Sequence, residues 1–176
     1  VEGYGLTETH LVVTISPHHI ELEGSCGRPI AGVEVKTETD GEILVRTDMM
    51  MAGYHNREDL TRDAIDKQGW FHTGDIGHLD EDGLLHITDR KGDMILTSGG
   101  ESVAPSPIED LLRRDRFVED VLLVGNGRPF LTAIVVPNQR ALVSWGEKRK
   151  LDVSEPEVFC RSEKAAGLLL KRLRRH

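Results

Sequence analysis

Turn-forming residues interrupt the first half of the chain so often that its apolar stretches stay short. Residues 33–38 alternate apolar and polar side chains, Asp40-Gly41 is typical of a turn, and residues 42–46 return as a second strand, which predicts a hairpin. Residues 57–65 predict a short helix. Further short strands are predicted at residues 12–15, 70–72 and 84–88.

The second half of the chain mixes helices with strands. Residues 94–97 predict a strand that leads into a glycine turn, and Pro105 and Pro107 lie where a helix would begin. Further elements are predicted as two strands, 118–124 and 131–137, and two helices, 138–148 and 157–175. Because the strands and helices show no repeated period, the pattern favours an α+β fold over a doubly wound sheet.

Charge divides the chain into two parts. The 176 residues carry a net charge of −8, but 18 acidic and 6 basic residues lie before Arg90, against 12 acidic and 16 basic residues from Arg90 onward. This break predicts two units, 1–89 and 90–176, of which the basic one is suited to phosphates. Solvated charged faces are the alternative explanation.

Several classes of protein are disfavoured by the sequence. No apolar run approaches the roughly 18 residues of a membrane-spanning helix. Cys26 and Cys160 lack metal-type spacing, which favours free thiols in a reducing compartment such as the cytoplasm. Adjacent His18 and His19 do not converge readily on one metal ion. The negative net charge, without an aromatic and basic surface, argues against nucleic acid as a partner.

Three polar segments could carry chemistry. Residues 3–9 form a glycine-flanked turn in which Glu8 offers a hard oxygen ligand suited to Mg²⁺. Asp75, just after a predicted strand, could accept hydrogen bonds from the two hydroxyls of a ribose. Residues 89–93 and 97–101 pair a fixed cation with a glycine loop. Each segment alone could equally be a polar turn or a charged linker.

The order and spacing of these segments resemble the adenylate-forming superfamily, which includes acyl-CoA synthetases, luciferase and peptide-synthetase adenylation domains. Residues 97–101 and Ala104-Pro105 look most like the long-chain fatty acyl-CoA synthetase branch. The matching segments are Tyr4-Gly5-Leu6-Thr7-Glu8, Cys26-Gly27-Arg28-Pro29, Gly41-Glu42-Ile43, Gly53-Tyr54, residues 69–75, Asp82-Gly83, Asp89-Arg90 and Pro107-Ile108-Glu109. The resemblance therefore implies the carboxyl-terminal, barrel-like part of a large AMP-binding domain followed by a small mobile α+β domain.

Enzymes of this superfamily join a carboxylate to the α-phosphate of ATP, release pyrophosphate, and then exchange AMP for a thiol, usually that of coenzyme A. The resemblance implies ATP, Mg²⁺ and CoA as ligands. Tyr4 and Gly5 would lie near the adenine, and the catalytic Thr7 would contact the α-phosphate. Glu8 would be catalytic through Mg²⁺, while Asp75 and Arg90 would hold the ribose.

The resemblance also assigns roles around the division between the units. Gly92 occupies the hinge position, where relatives usually have Lys or Asp, so we expect rotation without a side-chain lock. Gly99 and Gly100 would line the channel for the pantetheine arm of CoA.

Two family features are missing from this sequence. It contains neither the Ser/Thr/Gly-rich phosphate loop that precedes the tyrosine motif nor a late Pro-Thr-x-x-Gly-Lys segment. Gly167 to Lys171 has the wrong spacing and predicts an amphipathic helix instead. We therefore expect a fragment of a larger ligase, with little adenylation activity by itself and with its missing amino-terminal domain as a partner.

Other functions share the same motifs. The parent could load an acyl group onto a carrier protein, join an aryl acid to CoA, or be a non-catalytic remnant that binds nucleotide or a partner. The basic cluster at residues 171–175 is either a contact for anionic lipid at a membrane surface or a solvated helix end.

Overall fold

The computed structural model describes residues 2–16 and 24–174, which form two compact units, Val1–Asp93 and Met94–His176. His18, His19 and Arg175 lie outside the described residues. The division expected at residues 89 and 90 remains a prediction. In the structure, the last strand of the first unit runs through Arg90, and that unit ends at Asp93.

The first unit is built almost entirely from antiparallel strands. Strands β1, β2 and β3 form one sheet, and β4 to β7 pair in chain order in a second sheet. The elements are β1 (Gly3–Tyr4), β2 (Thr14–Ile15), β3 (Arg28–Pro29), β4 (Val33–Thr37), β5 (Glu42–Thr47), α1 (Glu58–Ala64), β6 (Phe71–Leu79) and β7 (Leu85–Arg90).

The hairpin β4–β5 forms because β4 alternates apolar and polar residues and a glycine allows the turn between the strands. Val33 pairs with Thr47, and Gly41 has the positive φ of 85° that the turn between the two strands requires. Strand β5 is buried over its first four residues, so it crosses the middle of the unit. A core cluster of this unit contains Val13, Val33, Ile43, Val45 and Leu85.

The second unit packs helices with two small sheets. Strand β8 pairs with β9, and β10 pairs with β11, in both cases antiparallel. The elements are β8 (Ile95–Leu96), β9 (Ser102–Val103), α2 (Pro105–Arg113), β10 (Val118–Val124), β11 (Thr132–Pro137), α3 (Gln139–Glu147), α4 (Pro156–Cys160) and α5 (Glu163–Leu173). One core cluster contains Phe117, Leu142, Phe159 and Ala165.

The single helix predicted at residues 157–175 is wrong, because the segment forms α4 and α5. Phe159 is buried at the end of α4, and Ser162 begins a new helix by accepting a hydrogen bond from the Ala165 N–H at 3.3 Å. Helix α5 is amphipathic as expected, since Leu168 and Leu169 pack against the core. Its Arg172 donates to the buried Asp115 at 2.6 Å.

The α+β fold class is confirmed, although several strand ends differ from the prediction. Strand β2 begins at Thr14 rather than at residue 12, and β6 extends to Leu79. Cys26 and Cys160 are both free thiols. In the described part of the chain, no helix combines the length and apolar character needed to cross a bilayer.

Candidate nucleotide site

The turn after β1 needs glycine at position 5. A Cβ atom there would lie 1.1 Å from the carbonyl oxygen of Leu11, because the returning chain crosses directly over Gly5. The N–H groups of Leu11 and Val13 donate to Leu6 and Tyr4, each at 2.8 Å, and close this hairpin. The short 3-10 helix Thr7–Thr9 forms its tip. Thr7 and Glu8 are thus presented on a tightly fixed turn.

Asp75 is the centre of the site. It lies within β6, not beyond the end of a strand as the sequence suggested, and it is only 4% exposed. The Tyr4 hydroxyl donates to Asp75 Oδ2 at 2.6 Å. Arg90 is the cross-strand partner of Asp75 in β7, and its Nε lies 3.2 Å from Asp75 Oδ1. Residues separated by up to 86 positions in the chain therefore meet at one buried carboxylate.

The surroundings of Tyr4 keep its phenol protonated. Burial raises the pKa of the Tyr4 phenol, and the hydrogen bond to Asp75 raises it further. Tyr4 therefore remains a protonated donor at neutral pH. Its ring packs against the core of the first unit, whereas the Arg90 side chain is 71% exposed and can reach a ligand.

Hydrogen bonds connect the segment around Asp75 to the neighbouring strand β5. Its N–H donates to Thr73 Oγ1 at 3.0 Å, and that hydroxyl donates to the carbonyl of Ile43 at 2.7 Å. Between them, the Gly74 N–H donates to Glu42 Oε1 at 3.1 Å. Strand β5 therefore sets the position of the irregular 73–75 segment, where Gly74 has a φ of +72°.

Glu8 is held by a tyrosine to which the sequence analysis gave no role. The Tyr54 hydroxyl donates to Glu8 Oε1 at 2.9 Å, and Glu8 is half-buried. Burial raises the pKa of Tyr54, and so does the hydrogen bond to Glu8, so this phenol also remains a donor. Thr7, next to Glu8, is exposed.

A second ion cluster lies in the same sheet. Glu42 is buried and its Oε2 accepts from Lys91 Nζ at 2.8 Å and contacts His72 Nδ1 at 3.2 Å. Lys91 Nζ also lies 2.7 Å from Asp40 Oδ2. The residue that follows Arg90 is therefore anchored to the turn before β5.

Three further predicted site residues are glycines that lie in turns. Gly92 lies in the 3-10 turn Lys91–Asp93, where a Cβ atom would meet nothing within 4 Å. Gly99 and Gly100 belong to the second unit and lie in the turn between β8 and β9, where the Gly100 N–H donates to Thr97 at 3.0 Å. Their assigned roles remain predictions.

The roles of Tyr54, Glu42 and Lys91 were not predicted from the sequence. Gly53-Tyr54 and Gly41-Glu42 were both among the matching motifs, so their positions were visible although their partners were not. Tyr54 and Glu8 are 46 residues apart, and Lys91 and Glu42 are 49 apart. Only the fold could show that each carboxylate has its own long-range donor.

The donor set suits a nucleotide accompanied by Mg²⁺. A buried carboxylate beside an exposed guanidinium can recognise ribose hydroxyls and a phosphate. Within the described residues there is no group of three or more acidic, His or Cys side chains that could hold a metal ion. Glu8 fits Mg²⁺ as one ligand among phosphate oxygens and waters, which is the usual way in which proteins bind this ion.

Comparisons with known proteins agree with this kind of site. Residues 1–55 match the AMP-binding enzyme profile, and residues 92–171 match the AMP-binding enzyme C-terminal domain. This chain belongs to the AMP-binding, adenylate-forming enzyme family.

Two curated relatives are similar to most of this chain. The long-chain-fatty-acid–CoA ligase FadD15 of Mycobacterium tuberculosis is 40% identical over 147 residues, which cover 84% of this chain and 24% of that protein. The long-chain-fatty-acid–CoA ligase of Salmonella typhimurium is 45% identical over 136 residues, which cover 71% of this chain and 24% of that protein. This chain therefore spans 24% of the length of these curated relatives.

Solved structures show the same fold. O-succinylbenzoate CoA synthetase of Bacillus subtilis with its acyl-adenylate intermediate has a TM-score of 0.68 and 30% identity, covering 84% of this chain and 34% of that one. The same enzyme with ATP and magnesium has a TM-score of 0.66 and 33% identity, covering 78% of this chain and 31% of that one.

Proposed function

We propose that this chain supplies part of the nucleotide site and the mobile domain of an ATP-dependent, AMP-forming fatty acid–CoA ligase. The observation that carries the proposal is the buried Asp75 held between Tyr4 and Arg90 in a member of the AMP-binding enzyme family. The relatives named above as long-chain-fatty-acid–CoA ligases support a fatty acid as the carboxylate and CoA as the thiol.

Each residue of the site has a defined task in this proposal. Asp75 accepts hydrogen bonds from the ribose hydroxyls through lone pairs not used by Tyr4 and Arg90. The exposed Arg90 turns toward the ribose, while Tyr4 and Gly5 border the adenine. Thr7 donates to the α-phosphate, and Glu8 holds the metal. Bound Mg²⁺ supplies charge stabilisation at the phosphates while the carboxylate displaces pyrophosphate.

The second unit provides for the thiol step. The basic charge from Arg90 onward suits the phosphates of CoA, and Gly99 and Gly100 line the path of its pantetheine arm. Gly92 is the pivot about which the second unit turns between the two steps. A cytoplasmic location and a contact with lipid or with an amino-terminal domain are further parts of the proposal.

Nucleotide binding by the 176-residue chain tests the proposal. Calorimetric titration with AMP should show saturable binding, and Asp75→Asn should weaken it by roughly tenfold or more because the carboxylate no longer accepts two ribose hydrogen bonds. Glu34→Gln is the matched control, since it neutralises an exposed carboxylate in the same sheet. Absence of AMP binding, or equal binding by Asp75→Asn, contradicts the proposal.

Titration with CoA separates the CoA ligase from the other candidates. We expect CoA to bind the wild-type chain, with the affinity falling as salt rises because its phosphates meet a basic unit. A chain that binds AMP but not CoA would instead favour transfer to a carrier protein or a nucleotide-binding remnant.

A further inference from the structure

The chain has only two tyrosines, and each donates to a carboxylate of the proposed nucleotide site. Tyr4 holds Asp75, and Tyr54 holds Glu8. The first contact joins Tyr4 and Asp75, and the family resemblance already assigns both residues to the nucleotide. In the second contact only Glu8 has an assigned role, and Tyr54, in the segment between β5 and α1, has none.

The backbone around Tyr54 is fixed by helix α1. The Tyr54 N–H donates to Thr61 Oγ1 at 2.9 Å, and that hydroxyl donates to the carbonyl of Arg57 at 3.0 Å. Gly53 has a φ of +145°, and a Cβ there would lie 2.9 Å from the Thr61 side chain. The position of the phenol is therefore set by its own segment and not by Glu8 alone.

Two further bonds join this segment to the turn that bears Glu8. The Met51 N–H donates to the Glu8 carbonyl at 2.8 Å, and His10 Nδ1 lies 2.6 Å from the carbonyl oxygen of Met49. Since these backbone-anchored contacts already attach the turn, the Tyr54 hydroxyl is not needed merely to hold it in place.

We propose that Tyr54 is a positioning residue for the metal ligand Glu8. By donating to Oε1, the phenol fixes the rotation of the carboxylate and leaves Oε2 for the cation that accompanies the nucleotide phosphates. Among the described residues, Tyr54 is the hydrogen-bond partner found for this carboxylate. The inference rests on the proposed function, because it takes Glu8 to be the metal ligand.

A purely structural role predicts something different from a positioning role. If the Tyr54–Glu8 bond only braced the turn, its loss would weaken nucleotide binding equally with and without metal. If it orients the carboxylate, its loss would reduce the gain in affinity that the metal provides. The ratio of the two affinities therefore separates the roles.

The experiment measures the dissociation constant of ATP for the whole chain in Mg²⁺ and in EDTA by calorimetry. Tyr54→Phe keeps the ring and removes only the hydroxyl. We expect it to reduce the enhancement by Mg²⁺ roughly tenfold, as loss of an orienting partner does at other metal sites, while the affinity in EDTA changes by less than about twofold. Glu8→Gln should remove the enhancement, and adding Tyr54→Phe to it should have no further effect on the ratio.

Tyr4→Phe is the matched control, because it removes the other phenol hydroxyl of the same site. It should lower the affinity for ATP under both conditions and leave the ratio unchanged. If Tyr54→Phe retains the full enhancement, or lowers both affinities equally, Tyr54 is not a positioning residue. A wild-type chain that binds ATP without any enhancement by Mg²⁺ also overturns this inference. A wild-type chain that binds no nucleotide overturns the proposed function itself.

Discussion

Lys91→Met should destabilise the first unit measurably, because it removes a cation from a buried carboxylate. Glu42 is 6% exposed and loses one of three donors, while the His72 ring and the Gly74 N–H remain. A hydrogen bond to a charged group contributes about 1.5–3 kcal/mol, and the 48% exposure of the Lys91 side chain places this one near the lower end. A loss of about 1.5 kcal/mol in a unit of this size lowers Tm by roughly 6–12 °C.

The pH dependence of this stabilisation follows from the pKa shifts of Glu42 and Lys91. Burial raises the pKa of Glu42, but the hydrogen bonds from Lys91, His72 and Gly74 outweigh it, so the net pKa is lowered. Its stabilising contribution is therefore present above the unfolded pKa and lost as pH falls through the folded one. Hydrogen bonds to Asp40 and Glu42 raise the pKa of Lys91, so its contribution is lost only at strongly alkaline pH. The difference between wild type and variant should stay constant from about pH 6 to 9 and shrink below about pH 4.

Fluorescence can isolate the first unit in this assay. The two tryptophans, Trp70 and Trp145, lie in different units, so urea unfolding in a Trp145→Phe background reports the first unit through Trp70. Lys67→Met, which removes the same charge from an exposed position, is the control and should change stability by less than about 0.5 kcal/mol. A Lys91→Met effect as small as that of the control, or one that persists undiminished at acid pH, would show that the Lys91–Glu42 pair does not stabilise the first unit.

Three other substitutions have defined outcomes. Gly5→Ala should cost more than about 3 kcal/mol and abolish AMP binding, since its Cβ would collide with the Leu11 carbonyl; a stable variant with normal AMP affinity would contradict the described turn. Arg172→Met should destabilise the second unit by about 1.5–3 kcal/mol in thermal unfolding because it removes the charged hydrogen bond that Arg172 donates to the buried Asp115, whereas a change below about 0.5 kcal/mol would show that this bond contributes little. In a full-length ligase that carries this chain, Gly92→Pro should slow thioester formation more than adenylation; unchanged thioester formation would show that this residue is not the pivot.

Local patterns predicted the elements whose folding depends on neighbours in sequence. The β4–β5 hairpin follows from alternation and an Asp-Gly turn, and α2 follows from proline in its first turn. Helix α3 begins where Asn138 accepts a hydrogen bond from the Ala141 N–H at 3.0 Å. In each case the side chains that decide the structure lie within a few residues of each other.

The predictions were wrong where the ends of a strand or helix depend on contacts with residues far away in the sequence. Asp75 seemed to follow a strand because Gly74 breaks the apolar pattern, but pairing with both β5 and β7 extends β6 through it. The helix predicted at residues 157–175 ends early because Phe159 enters the core of the second unit and Ser162 caps a new helix. The helix and strand propensities of the individual residues do not predict either of these contacts.

Motif order predicts Tyr4, Glu8, Asp75 and Arg90 as site residues, and in the structure both Tyr4 and Arg90 contact the carboxylate of Asp75. Their roles toward a nucleotide stay predictions. The donor to Glu8 is Tyr54, whose motif was visible in the sequence although its partner was not. Long-range hydrogen bonds of this kind depend on the pairing of whole strands.

The most direct test of a single nucleotide site is a titration of the isotopically labelled chain with AMP, followed by the backbone amide signals in NMR. If one site binds AMP, signals from residues 3–9, from residues 73–76 and from Arg90 shift together along one binding isotherm. Shifts that fit separate isotherms for these segments, or that leave residues 73–76 unaffected, would contradict it.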